Sequence, residues 1–329
     1  MAHKYKRSWI NESTHGHQIE MPDGSEFKVY TTLLDNLSIV GSKDPAIALF
    51  PGFAEQGVVS KQALVYLASL GVPAVSSMLH FEQIPKVMQK NPEECMQAVE
   101  ALASQTPLAV GDRIKDLNDS NDPVTAIGNS SGSGVLGLSL GLDQLSTPTG
   151  EPIFGDVALM QPVGLAMETP ENQPTTAGHI AAFCINAFMV SPPWRNGLHL
   201  ATTDLIQNVW RQRNTLVTQF DFARSHTSVS PVVQLSKKAR TVVIAGEKDT
   251  VVPLSVVRRN IQQCGGFSTE STVEEDDLNL SRQSIDTINR KFPDEGIHLV
   301  VAKRARHESL AYPRGQKMLR IATQVLRLA

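Results

Sequence analysis

The sequence predicts an α/β fold: a mainly parallel sheet flanked by helices, with a helical segment inserted ahead of the last third of the chain. Three observations predict it. Short apolar, β-branched runs alternate with helix-patterned stretches along most of the 329 residues. One such run passes into a turn of glycine and serine and then into a helical pattern, in "VTAIGNSSGSGVLGLSL", Val124 to Leu140. The alternation then breaks for roughly 70 residues that carry helical patterns and no convincing strand.

The elements follow in order. "HQIEMPDGSEFKVYTTLL" holds two alternating runs around Pro22-Asp23-Gly24, which predicts a hairpin. Buried strands are expected in "PAIALF" (45–50), "VPAVSSML" (72–79), "PVTAI" (123–127), "DVALMQ" (156–161), "TVVIAG" (241–246) and "HLVVA" (298–302). "SKQALVYLASLG" predicts a helix closed by Gly71, since glycine takes the left-handed residue after a helix without strain. "NPEECMQAVEALASQ" predicts another, with Asn91 as N-cap, Pro92 at the first helical position and Glu94 completing a capping box. Its residues Cys95, Val99 and Leu102 share one face. Residues 166–235, with Trp194 and Trp210, are expected to form a helical cap on a core made of 1–165 and 236–329. The acidic stretch from Gly265 to Gly296 is expected to be a solvated excursion. Its Glu274, Glu275, Asp276 and Asp277 are adjacent, whereas ion-binding loops space their ligands around a turn glycine.

Composition narrows the function classes. Hydrophobic content of 41%, charged content of 19% and a formal charge of −3 give no reason to expect a nucleic-acid partner. Three cysteines, Cys95, Cys184 and Cys264, are an odd number without metal-like spacing, as expected of reduced thiols in the cytoplasm. "MAHKYKRSWINESTHGHQ" has basic residues but no apolar core behind them, so no secretory signal is expected. The longest apolar run, Ile180 to Val190, falls short of the roughly 20 residues that span a bilayer. A small-molecule substrate is the expected partner, and no pattern encodes an oligomeric state.

The turn after the 123–127 strand reads in two ways. Gly132-Ser133-Gly134-Val135-Leu136-Gly137 fits G-x-G-x-x-G, a dinucleotide loop. That reading needs an acidic residue at the end of the next strand to bind ribose. The next strand instead has Asp156 at its start and Gln161-Pro162 at its end. Gly128-Asn129-Ser130-Ser131-Gly132 fits G-x-S-x-G, in which the serine takes strained backbone angles and small residues two before and two after avoid a collision. That makes Ser130 the nucleophile. A serine hydroxyl needs a base, itself held by a carboxylate. Downstream, "VVIAGEKDTVVP" puts Asp249 just past one buried strand, and "HLVVAKRARHESLAYP" puts His307 just past the last.

"GNSSG", "GEKDTVVP" and "RHES", in this order, resemble the α/β-hydrolase superfamily, and the resemblance spans nearly the whole chain. It implies the α/β-hydrolase fold with a helical cap insertion, and a triad of Ser130, Asp249 and His307. It also implies an oxyanion hole from the backbone N–H groups of Ser131 and Phe53, with Ala54 as the alternative to Phe53. No metal or organic cofactor is implied. Gly52 would let backbone approach the substrate closely. Asp249 could instead cap the helix that follows, leaving Glu247 or Glu168 as the acid. His80 either lines the pocket or packs beside it. Phe183, Phe188, Met189 and Trp194 suit an apolar substrate pocket or a core.

Two departures are visible. The D-x-x-G-x-G-x-S run that many small members carry is "SSMLHFEQIPK" here, and the separation of 58 positions from acid to histidine exceeds the usual spacing. "GNSSG" and "LMQPVGL" are also similar to segments of meta-cleavage product hydrolases, which cut carbon–carbon bonds. The expected activity is hydrolysis of a carboxylic ester of a small, partly apolar substrate through an acyl-enzyme. Carbon–carbon hydrolysis and a receptor-like binding scaffold are the alternatives.

Overall fold

Strands covered on both faces must be apolar at nearly every position, and the central runs of this sequence meet that demand. In the computed structural model, which describes residues 9–40, 46–52, 55, 57–118, 124–141, 154–166, 178, 199–263, 268–273, 286, 290, 296–307, 309–310 and 312–326, each of them is a strand. They are β3 (Ile47–Phe50), β4 (Ala74–Leu79), β5 (Val124–Asn129), β6 (Phe154–Met160), β7 (Arg240–Gly246) and β9 (Ile297–Ala302). The hairpin is present as β1 (Asn11–Glu20) and β2 (Glu26–Asp35), paired antiparallel about a turn in which Gly24 has φ 79°. The nine-stranded sheet runs β1-β2-β4-β3-β5-β6-β7-β9-β8, antiparallel at β1, β2 and β4 and parallel from β4 onward.

The strand β8 (Ser268–Val273) corrects the expectation of a solvated excursion from Gly265. "STESTV" forms the outer edge of the sheet, parallel to β9. An edge strand has one side open to water and need not be apolar, so it leaves no hydrophobic run to read. Its Glu270 pairs with Arg258. The acidic residues 274–277 lie outside the described residues.

Alternation along the strands sends side chains into two cores. Ala126, Leu159, Val243 and Val301 face one, and Ile127, Ala158, Ile244 and Val300 the other. Helices α1 (Val58–Ser69) and α8 (Pro313–Val325) cover the second face. The first is covered by α2 (Pro92–Asn118), α3 (Ser131–Gly141), the helices Leu216–His226 (α5) and Val229–Lys238 (α6), and α7 (Leu254–Gln263). Within the segment expected to form a cap, the described helices are α4 (His199–Arg211), α5 and α6; α5 and α6 pack on the first face of the sheet, and α6 runs across the expected boundary at 235. Residues 167–177 and 179–198 lie outside the described residues.

Helix α2 begins where expected. Asn91 accepts from the Glu93 N–H through its side-chain oxygen, 3.1 Å, and donates to the Glu94 carboxylate, 2.7 Å. It continues beyond the expected end, through Pro107 to Asn118. An internal proline costs about 3 kcal/mol. Val110 and Ile114, both fully buried on the face begun by Val99 and Leu102, offset that at about 1.5–3 kcal/mol each.

Candidate active site

The site forms where β5, β7 and β9 end at the same edge of the sheet. After β5 the chain turns at Ser130, whose φ of 50° is left-handed, and enters α3 at Ser131. A non-glycine residue there costs about 1–3 kcal/mol. The Ser130 N–H donates to the Met160 carbonyl, 2.8 Å, which fixes the turn against β6. Its flanking glycines are sterically required: a Cβ on Gly132 would lie 2.1 Å from the Phe50 carbonyl oxygen, and one on Gly128 2.8 Å from that of Gly132.

Asp249 and His307 arrive on loops that are tied together. The Lys248 N–H donates to the Ala305 carbonyl, 2.9 Å. The Gln161 amide, on the residue after β6, donates to the Arg306 carbonyl next to the imidazole. His307 Nδ1 meets Asp249 Oδ2 at 3.0 Å, and His307 Nε2 meets the Ser130 hydroxyl at 3.1 Å. All three residues are buried. Because the carboxylate only accepts, Nδ1 carries the proton and Nε2 turns its lone pair to the serine. Asp249 Oδ1 accepts from the Val251 and Val252 N–H groups at 2.8 and 2.7 Å. Asp249 therefore braces its own loop as well as the imidazole.

No protein-family model matches the sequence, and no curated protein matches it. Solved structures do. A serine hydrolase from Cycloclasticus zankles aligns with a TM-score of 0.52 at 14% identity, covering 96% of this chain and 98% of that one. An esterase from Thermogutta terrifontis aligns with a TM-score of 0.52 at 14% identity, covering 95% and 97%. A meta-cleavage product hydrolase aligns with a TM-score of 0.50, also at 14% identity, covering 95% and 98%. The chain has the α/β-hydrolase fold.

Within this α/β-hydrolase fold, the second glycine motif has a packing role. A Cβ on Gly137 would fall 1.8 Å from the His226 carbonyl oxygen, and one on Gly134 3.0 Å from the Ala223 Cα. Both glycines let α5 lie close against α3. Glu247, the other acid beyond β7, is exposed and accepts from the Arg304 N–H at 3.1 Å.

A small pocket, open to solvent, lies between Gly52 and Ser131, with Phe81, Val135 and Phe222 among its apolar walls and Gln219 among its polar groups. His80 is not among the residues that line it, although its neighbours Leu79 and Phe81 are. The His80 ring contacts the Thr32 hydroxyl at 3.0 Å and the Glu82 carboxylate at 3.1 Å. Burial pushes the Glu82 carboxyl up, but its contact with His80 and the Arg211 charge outweigh this and hold it below the usual value. Phe53, Ala54, Glu168, Phe183, Phe188, Met189 and Trp194 lie outside the described residues.

Among the described residues, no cluster of three or more His, Cys, Asp or Glu side chains could hold a metal ion, and no helix is long and apolar enough to cross a membrane. Cys95 is a buried free thiol.

Sequence reasoning passed over Glu55. It is 4% exposed and accepts hydrogen bonds from Gly52, Asn129 and Leu310. One signal was present: Glu55 is the only charged residue in "ALFPGFAEQGVVS", between a buried strand and a helix.

Proposed function

We propose that the protein is a serine hydrolase that cleaves a carboxylic ester of a small, partly apolar substrate. The reading rests on one observation, the unbroken hydrogen-bonded series from the Ser130 hydroxyl through His307 to Asp249. Ser130 Oγ attacks the acyl carbon while His307 Nε2 takes its proton. The carbonyl oxygen becomes an oxyanion held by the N–H groups of Ser131 and Phe53. Each such donor supplies about 3 kcal/mol in the transition state. The Gly52 N–H is committed to Glu55, which leaves the donor role on that loop to the residues after it.

Collapse of the intermediate breaks the bond to the alcohol, which leaves with the proton from His307. Water then gives a proton to His307 and attacks the acyl-enzyme, releasing the acid and restoring Ser130. Asp249 holds the imidazole tautomer and stabilises its cation. The pocket beside Ser131 takes an apolar part of the substrate, and the segment 166–235 shapes it through Gln219 and Phe222 of α5. The odd cysteine count supports a reducing, cytoplasmic setting.

A panel of nitrophenyl esters of increasing acyl length tests the reading. The wild-type protein is expected to turn over short to medium chains, and Ser130→Ala to lose at least about 10⁴-fold in kcat. Activity that survives the substitution, or no turnover of any ester, overturns the ester-hydrolase reading. Turnover of a vinylogous β-diketone alone moves the assignment to carbon–carbon hydrolysis.

A further inference from the structure

Glu55 is buried at the meeting point of three loops that carry different parts of the site. Its Oε2 accepts from the Gly52 N–H at 2.7 Å and from the Asn129 side-chain amide at 2.8 Å. Its Oε1 accepts from the Leu310 N–H at 2.7 Å. Gly52 opens the loop after β3, Asn129 directly precedes Ser130, and Leu310 lies three residues beyond His307. The Glu55 carbonyl in turn accepts from the Ser60 hydroxyl at 2.6 Å, which anchors the residue to α1.

The chemistry at this junction suits a carboxylate and no other side chain. All three partners are N–H donors, and a carboxylate offers acceptors on both oxygens. Asn129 has no second use for its side chain, since its Oδ1 is buried without a hydrogen-bond partner among the described residues. The space is also tight: a Cβ on Gly52 would lie 2.6 Å from Glu55 Oε2 and 3.2 Å from the Ser130 Cβ. The carboxylate therefore packs beneath the backbone that faces the nucleophile.

We propose that Glu55 is a positioning residue that sets the spacing between the loop after β3, the nucleophile turn and the histidine loop. The proposal rests on the serine-hydrolase reading of the site. An amide at this position keeps the shape but has one acceptor oxygen. The Asn129 amide can turn its Oδ1 toward the new NH2 group, but that group must then still face the backbone N–H of either Leu310 or Gly52, donor against donor. One loop has to move, and a displacement of about 1 Å at a reacting group can cost on the order of 100-fold in rate.

The test measures phosphonylation by a fluorophosphonate for wild type, Glu55→Gln and Asn129→Ala, separating the limiting rate from the half-saturating probe concentration and recording thermal unfolding. In Glu55→Gln the limiting rate should fall by roughly 10- to 100-fold with half-saturation nearly unchanged, in a protein that still unfolds cooperatively. Asn129→Ala, which removes one donor and keeps the carboxylate, should fall less, by about 3- to 10-fold. If Glu55→Gln does not fold, Asn129→Ala decides alone. A wild-type limiting rate in the variant that decides, or a change confined to half-saturation, overturns the positioning role and leaves the hydrolase reading standing. A wild-type protein that does not react removes the hydrolase reading and this proposal together.

Discussion

Asp249 and Glu55 are two buried carboxylates that look alike and sit in regions built for different ends. Each is 4% exposed, and each accepts two backbone N–H groups and faces one further side chain. The third partner separates them. For Asp249 it is the His307 imidazole, which in the proposed mechanism gains a charge that the carboxylate would stabilise. For Glu55 it is the amide of Asn129, which never titrates, so the carboxylate serves as a fixed joint. Burial and hydrogen bonding do not by themselves tell the two acids apart; what each side chain faces does.

The sharpest way to break this comparison is Asp249→Asn. One amide oxygen can still serve Val251 and Val252, but the NH2 group would face Nδ1 and force the wrong tautomer. A loss of about 10⁴-fold in kcat with little change in KM is expected from steady-state kinetics, against the 10- to 100-fold effect expected for Glu55→Gln. Similar losses in the two variants would erase the distinction. The smallest effect belongs to Glu247→Gln. Glu247 is exposed and its carboxylate accepts from the Arg304 N–H away from the imidazole, so kcat/KM should stay within about threefold of wild type. A loss as large as that of Asp249→Asn would transfer the acid's role to Glu247.

The legible parts of the molecule are those whose causes are local. Apolar runs marked the six central strands because burial on both faces demands them within a few residues. Gly128 and Gly132 marked the turn at Ser130 because the collision they avoid arises inside a five-residue window. Asp249 and His307 could be picked out because each lies a few residues beyond such a strand. β8 was illegible because an edge strand may be polar, and the length of α2 because Pro107 reads as a stop until the burial of Val110 and Ile114 is known. Glu55 was illegible for a different reason. Its partners Asn129 and Leu310 lie 74 and 255 residues away, so no local pattern announces them.

The claim on which all of this depends is that Ser130, alone among the serines of its turn, is activated by His307. Mass spectrometry of peptides after fluorophosphonate treatment at neutral pH tests it most directly, because Ser131 and Ser133 are built-in controls. A single phosphonyl group on Ser130, absent from a folded His307→Ala variant, is the result expected. An unmodified protein, or a group carried by Ser131, Ser133 or a serine elsewhere, would contradict the account.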